Sequence, residues 1–207
     1  MTTRVKICGI NDEAAFDAAV DAGADWVGFN FFPRSPRYVT PARAAALSAR
    51  APKHPPRVGL FVDPTEEEIS ATLAQVKLNV LQLYGAVDAP KIRARFGLPI
   101  WRAIGVSSRA DLPADCRGAD ALLLEAKAPP EATRPGGNAR SFDWSLLAGW
   151  TAPCPWLLAG GLTPENVAEA IRVTGATAVD VSSGVETSPG VKDSVRIRAF
   201  VAAARGG

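Results

Sequence analysis

Cys8 closes the short apolar run VKIC and is followed by a glycine and then by NDE, the start of a helix. A thiol in that place can be a small core filler, because unpaired cysteine packs as a hydrophobe. It can also be a base. Gly9 lets a ligand approach, the amides of the following helix favour an anion, and Lys6 projects from the same strand face. Glu125 ends the run LLLE, and a carboxyl at the end of an apolar strand is partly desolvated and holds its proton longer, as a general acid must. A salt-bridged rim carboxylate is the other reading of Glu125. Asp180, in AVDVSSG, lies among apolar neighbours where an unpaired charge is costly, so it is expected to bond a ligand or neighbouring loops.

A second constellation points to an anion. LAGGLTPENV gives a strand, two glycines, a capping threonine and a helix, and VDVSSGVE gives a strand, two hydroxyls and a glycine. Gly160, Gly161, Ser182, Ser183 and Gly184 therefore form a candidate phosphate cradle of backbone amides. In NFFPRSPRYV, Arg34 or Arg37 offers a guanidinium able to grip a carboxylate two-pronged, against the alternative of a solvated loop arginine. The segment 128–142, with Gly136 and Gly137, is long for a connection and suits a cover over a site, or surface decoration. The single histidine, His54, lies in the proline-rich stretch APKHPP and is expected in a solvated loop away from the site.

Positioning these groups requires a scaffold that gathers strand ends. Apolar runs of strand length alternate with amphipathic runs of helix length, which implies a parallel sheet. Strands are predicted at Val5–Ile10, Asp25–Phe31, Arg57–Val62, Val80–Tyr84, Ile100–Gly105, Ala121–Glu125, Trp156–Ala159 and Ala178–Ser182. Helices are predicted at Asn11–Ala22, Pro41–Arg50, Pro64–Gln75, Ala89–Phe96, Pro164–Thr174 and Val195–Ala204, with short ones at Ser108–Cys116 and Asp143–Trp150. Eight such units fit an α/β fold of the (β/α)8 TIM-barrel type, one catalytic domain over residues 1–207, rather than an open doubly wound sheet. In a barrel the chemistry gathers at the C-terminal ends of the strands, and the phosphate commonly sits after strands seven and eight. Cys8, Glu125, Asp180 and both glycine-bearing loops fall there.

Composition narrows the partners. A net charge of +2 over 207 residues, dispersed along the chain, argues against a nucleic-acid partner. No stretch approaches the length of a membrane span and no leader precedes the first strand, so a cytoplasmic protein is expected. Three cysteines, widely spaced and without CxxC, suggest reduced thiols rather than a disulfide framework or a zinc site.

Taken in order, KICG, FNFFPRSPRYV, VGLFVDP, LQLYG, LLLEAK, PGGNARSFDW, LAGGLTPENV and VDVSSGVE resemble the phosphoribosylanthranilate isomerase family over nearly the whole chain. The resemblance implies the tryptophan pathway and an Amadori rearrangement without metal or organic cofactor. It places the family's base on Cys8 and its acid, an aspartate in the family, on Glu125. Arg37 falls at the arginine near the anthranilate carboxylate, and the phosphate groups fall on the two glycine-bearing loops. Two positions depart from the pattern: Glu125 for aspartate, and Tyr84 where the family commonly reads LQLHG, a residue to which no catalytic role is assigned. Other phosphosugar barrels fit less well, because epimerases need ligand histidines and the histidine-pathway isomerase pairs aspartates. A silent metabolite-binding barrel is the reading of a different class. A small phosphosugar is the expected partner, and a monomer the expected state.

Overall fold

The computed structural model describes residues 2–129, 136 and 141–206. Eight parallel strands close on themselves in chain order: β1 (Arg4–Cys8), β2 (Trp26–Asn30), β3 (Arg57–Val62), β4 (Val80–Tyr84), β5 (Ile100–Val106), β6 (Ala121–Ala126), β7 (Trp156–Leu158) and β8 (Ala178–Val181). Every predicted strand is present, and β8 pairs with β1 to remove the sheet edges. The (β/α)8 expectation is met in the sheet and only partly in the outer ring. Six α-helices flank the barrel: α1 (Glu13–Asp21), α2 (Pro41–Ala49), α3 (Glu66–Leu73), α4 (Ala89–Phe96), α5 (Val167–Thr174) and α6 (Ser194–Ala204). After β5 and β6 the described residues form only 3-10 turns, Arg109–Asp111 and Trp144–Leu147. Pro113 interrupts the first predicted segment, and Gly149, with its φ of 70°, interrupts the second.

Helix starts differ from the sequence reading because side-chain caps decide them. Asp12, not Asn11, caps α1 by accepting the amide of Ala15. Thr65 and Glu68 form a reciprocal capping box that sets the start of α3. Asp193 accepts the amides of Val195 and Arg196 and so begins α6 at Ser194. Beyond β8 a small antiparallel hairpin, β9 (Glu186–Ser188) and β10 (Val191–Lys192), stands outside the predicted elements.

Alternation along the strands divides the apolar residues into two bodies. The larger lies between sheet and helices and includes Phe16, Phe29, Leu81, Leu122 and Phe200. The smaller fills the barrel lumen, where Val58, Val80, Leu123 and Ala178 pack beside Trp101, itself edge-on to Trp26 at 5.2 Å. The lumen is thus a solid plug below, and inward side chains at the upper strand ends line a cavity above it.

The expectation of three reduced thiols is corrected. Cys116 and Cys154 form a disulfide, with Cα atoms 6.0 Å apart. β6 and β7 are neighbours, so the chain segments entering them lie side by side, and residues 38 positions apart meet. Spacing along the sequence carries no sign of such a long-range pair. Among the described residues Cys8 is the free cysteine, and it is buried.

Candidate active site

The cavity at the C-terminal ends of the strands is lined by Cys8, Asn30, Arg37, Tyr84, Glu125, Gly136, Gly160, Gly161, Asp180, Ser182 and Ser183, among others. The structure therefore brings together the predicted acid, base, arginine and cradle residues. Gly184 lies just behind the wall: a Cβ there would sit 1.8 Å from the Leu162 carbonyl oxygen, so only glycine lets the seventh and eighth loops press together. Gly160 and Gly161 have φ of 83° and 65°, a conformation that disfavours any side chain and explains the glycine pair. Lys192, on the hairpin, donates to the Ser182 carbonyl at 2.9 Å and to its hydroxyl at 3.1 Å, anchoring the eighth loop.

On the first strand Lys6 and Cys8 both face the lumen. The β1–β8 register sets Lys6 opposite Asp180, and their ion pair closes at 2.7 Å with Lys6 fully buried. Asp180 thus finds its partner in a lysine of the adjacent strand rather than in a loop. Burial pushes the Cys8 thiol above its ordinary range; the Lys6 charge pulls the other way, Asp180 adds to the rise and Lys192 opposes it. Lys6 thus acts in the expected direction, favouring the thiolate, but burial outweighs it. α1 begins only at Glu13, where Asp12 accepts the amide of Ala15.

Of the two loop arginines, Arg34 is exposed and Arg37 is buried against the cavity. Ser35 accepts from the Arg37 amide and from Asn30, which shapes this loop. The Arg37 side chain crosses the end of β1 over Gly9, where a Cβ would lie 2.7 Å from its Cδ. Its Nε and Nη2 form a fork onto Glu186 at 2.7 and 2.8 Å. Lys192 also reaches Glu186, at 2.7 Å. Burial alone would lift the Glu186 carboxyl, but the Arg37 hydrogen bond and the Lys192 charge outweigh it and hold the group below its usual range. Burial depresses the Lys192 ammonium, against the pull of Glu186.

On the opposite wall Glu125 is buried at the end of β6. Gly136 lies directly on its carboxyl, since a Cβ at that position would be 2.5 Å from Oε1. Burial, and then the Glu125 charge, raises the ionisation of the Tyr84 phenol well above its ordinary range. The two positions at which the sequence departs from the family pattern therefore line one cavity. Sequence reasoning gave Tyr84 no catalytic role and did not single out Glu186 or Lys192, which only the hairpin beyond β8 brings to the site. Most of the segment expected to cover the mouth, residues 130–135 and 137–140, lies outside the described residues. His54 is exposed in a hollow beside Arg4, Asp25 and Trp26 at the N-terminal ends of the strands, as expected. Among the described residues no group of three His, Cys, Asp or Glu side chains could hold a metal ion, and no helix is long and apolar enough to cross a membrane.

A closed eight-stranded barrel with a thiol and a carboxyl lining one cavity, beside an amide-rich double loop, defines a TIM-barrel enzyme site built for proton transfer on an anionic substrate. Comparison with known proteins narrows the class. The sequence matches the family described as N-(5'phosphoribosyl)anthranilate (PRA) isomerase over residues 5–203, and the chain belongs to that family. It is 58% identical to the N-(5'-phosphoribosyl)anthranilate isomerase of Acidiphilium cryptum across 97% of this chain and 98% of that one. Its fold is similar to that of the phosphoribosyl anthranilate isomerase of Thermotoga maritima, with a TM-score of 0.84 and 37% identity, covering 99% and 100% of the two chains. It is also similar, at a TM-score of 0.83 and 36% identity over 99% and 100%, to such an isomerase in complex with reduced 1-(o-carboxyphenylamino)-1-deoxyribulose 5-phosphate.

Proposed function

We propose the following division of labour for the reaction that family membership assigns to this chain, the isomerisation of N-(5-phospho-β-D-ribosyl)anthranilate to 1-(2-carboxyphenylamino)-1-deoxy-D-ribulose 5-phosphate in tryptophan biosynthesis. Glu125 gives its proton to the furanose ring oxygen. The bond from that oxygen to C1′ breaks, and the nitrogen lone pair forms an iminium. Cys8 then takes the C2′ proton, the electron pair closes an enolamine and neutralises the nitrogen, and tautomerisation delivers the ketone while C1′ gains a proton. Cys8 acts as base in its thiolate form, which the Lys6 charge and the positive iminium favour against the effect of burial.

Gly160, Gly161, Ser182, Ser183 and Gly184 hold the phosphate through loop amides. Arg37, aimed by Glu186, meets the anthranilate carboxylate, and Asp180 lies on the sugar side of the Lys6 pair. The observation that carries this assignment is that Cys8 and Glu125, 117 positions apart in sequence, line one buried cavity with both cradle loops. Residues 1–207 act as one catalytic domain in the cytoplasm, without a nucleic-acid partner. Four exposed large apolar side chains among the described residues, Tyr38, Val173, Val191 and Val195, are few for an obligate interface and support a monomer. Purified protein supplied with enzymatically generated substrate tests the roles. Cys8→Ser and Glu125→Gln should each lower kcat by roughly 10² to 10⁴; wild-type turnover in either variant removes that residue from the mechanism.

A further inference from the structure

The hairpin β9–β10 touches three of the loops at the mouth. Asn11, in the loop after β1, donates from Nδ2 to the Gly190 carbonyl at 3.0 Å. Gly190, with φ of 86°, is pressed on the loop after β2: a Cβ there would lie 2.3 Å from the carbonyl oxygen of Pro36, next to Arg37. The third loop follows β8, and the Asp193 amide ties the end of the hairpin to it by donating to the Val185 carbonyl at 2.9 Å.

Lys192 sits at the joint of this strap. Its side chain is fully buried, and its ammonium reaches the Ser182 carbonyl at 2.9 Å, the Ser182 hydroxyl at 3.1 Å and the Glu186 carboxylate at 2.7 Å. An ammonium has three protons to give, and these three acceptors match them in number. Glu186 in turn receives Nε and Nη2 of Arg37. A continuous chain of bonds therefore runs from Ser182 through Lys192 and Glu186 to Arg37. One end of it belongs to the phosphate loop, and the other is the guanidinium assigned to the ring carboxylate.

We propose that Lys192 is a positioning residue that fixes the spacing between the phosphate loop and the Arg37 guanidinium, so that the site selects substrates carrying a phosphate and a carboxylate that far apart. The inference rests on the proposed contacts of the phosphate with the eighth loop and of the ring carboxylate with Arg37. Hydrogen bonds to a charged group are short and strong, and burial protects these from screening by salt. A packed lysine stem has given up its rotamers on folding rather than on binding, so both grips stand at their working separation before substrate arrives. Losing the joint strands no carboxylate: in Lys192→Met, Glu186 keeps its pair with Arg37.

Calorimetric binding of three probes tests this: reduced 1-(o-carboxyphenylamino)-1-deoxyribulose 5-phosphate, the same compound without its ring carboxylate, and inorganic phosphate. The ratio of the first two affinities measures what the carboxylate adds, and any effect of the Lys192 charge on Cys8 cancels in it. Lys192→Met should cut that ratio by about 10-fold, the size of one hydrogen bond to a charged group, and should weaken inorganic phosphate by roughly 3-fold or more as the Ser182 loop loses its anchor. A general loss of stability would leave the ratio unchanged. Gly190→Ala, which drives the hairpin off Pro36, should also lower the ratio and carries the test should Lys192→Met fail to fold. A wild-type ratio in either folded variant, or wild-type phosphate affinity in Lys192→Met, overturns the proposal. Arg37→Met checks the reading beneath it and should abolish the carboxylate's advantage; an advantage that survives this substitution removes Arg37 from carboxylate binding, whatever Lys192→Met does.

Discussion

The two walls of the cavity differ in what packs around the reacting group. On the Cys8 wall, β1, β8 and the hairpin bring buried charges together in pairs: Lys6 with Asp180, and Glu186 with both Arg37 and Lys192. On the Glu125 wall, the carboxyl is buried at the end of β6 with the backbone of Gly136 against it, and Tyr84 lines the same cavity. A base must be able to become an anion in a buried place, and nearby cations favour that form.

Breaking the ionic wall should have the largest effect on the fold. Lys6→Met strands Asp180 as an unpaired buried carboxylate and should cost about 3–5 kcal/mol of stability, read as a lower denaturant midpoint at constant m-value. Adding Asp180→Leu should restore most of that loss, because the stranded charge goes with it. A Lys6→Met midpoint equal to wild type would mean that the pair is not buried as described.

The Glu125 wall is held from below by a covalent link. The Cys116–Cys154 bridge closes a loop that contains all of β6, including Glu125. Cys116→Ser/Cys154→Ser should lower stability by about 3–4 kcal/mol by freeing the unfolded chain, while kcat at 25 °C stays near wild type. Alkylation of denatured, unreduced protein should detect one free thiol, Cys8. Three thiols would show that the bridge is open in solution.

Glu186→Gln sharpens the contrast with the smallest expected change. It weakens the fork that aims Arg37, so KM should rise by roughly 10-fold with kcat little altered. A fall in kcat at constant KM would place Arg37 in the chemistry rather than in binding.

Much of the scaffold was legible before coordinates. Alternation of β-branched runs with amphipathic segments fixed the strand order, and motif position assigned the cradle to the seventh and eighth loops, since local periodicity records which face is buried. Helix starts were misplaced because a cap is decided by one side chain, as with Asp12 and Thr65. The segments after β5 and β6 carried helix-forming residues interrupted by Pro113 and Gly149. Pairings across the barrel were largely hidden. Lys6 and Asp180 are 174 positions apart, and only closure of β8 on β1 makes them neighbours. The same holds for Arg37 with Glu186 and for Cys116 with Cys154. The sign of the Cys8 shift also needed three dimensions, because it is the balance of burial against a cation whose distance no spacing supplies.

The most direct test of the account is a structure of this chain with reduced 1-(o-carboxyphenylamino)-1-deoxyribulose 5-phosphate. The account predicts the phosphate on the amides of Gly160, Gly161, Ser183 and Gly184, the ring carboxylate toward Arg37, and the sugar carbons between the Cys8 sulfur and the Glu125 carboxyl. A ligand whose C2′ contacts neither side chain, or whose phosphate binds away from the two loops, would contradict it.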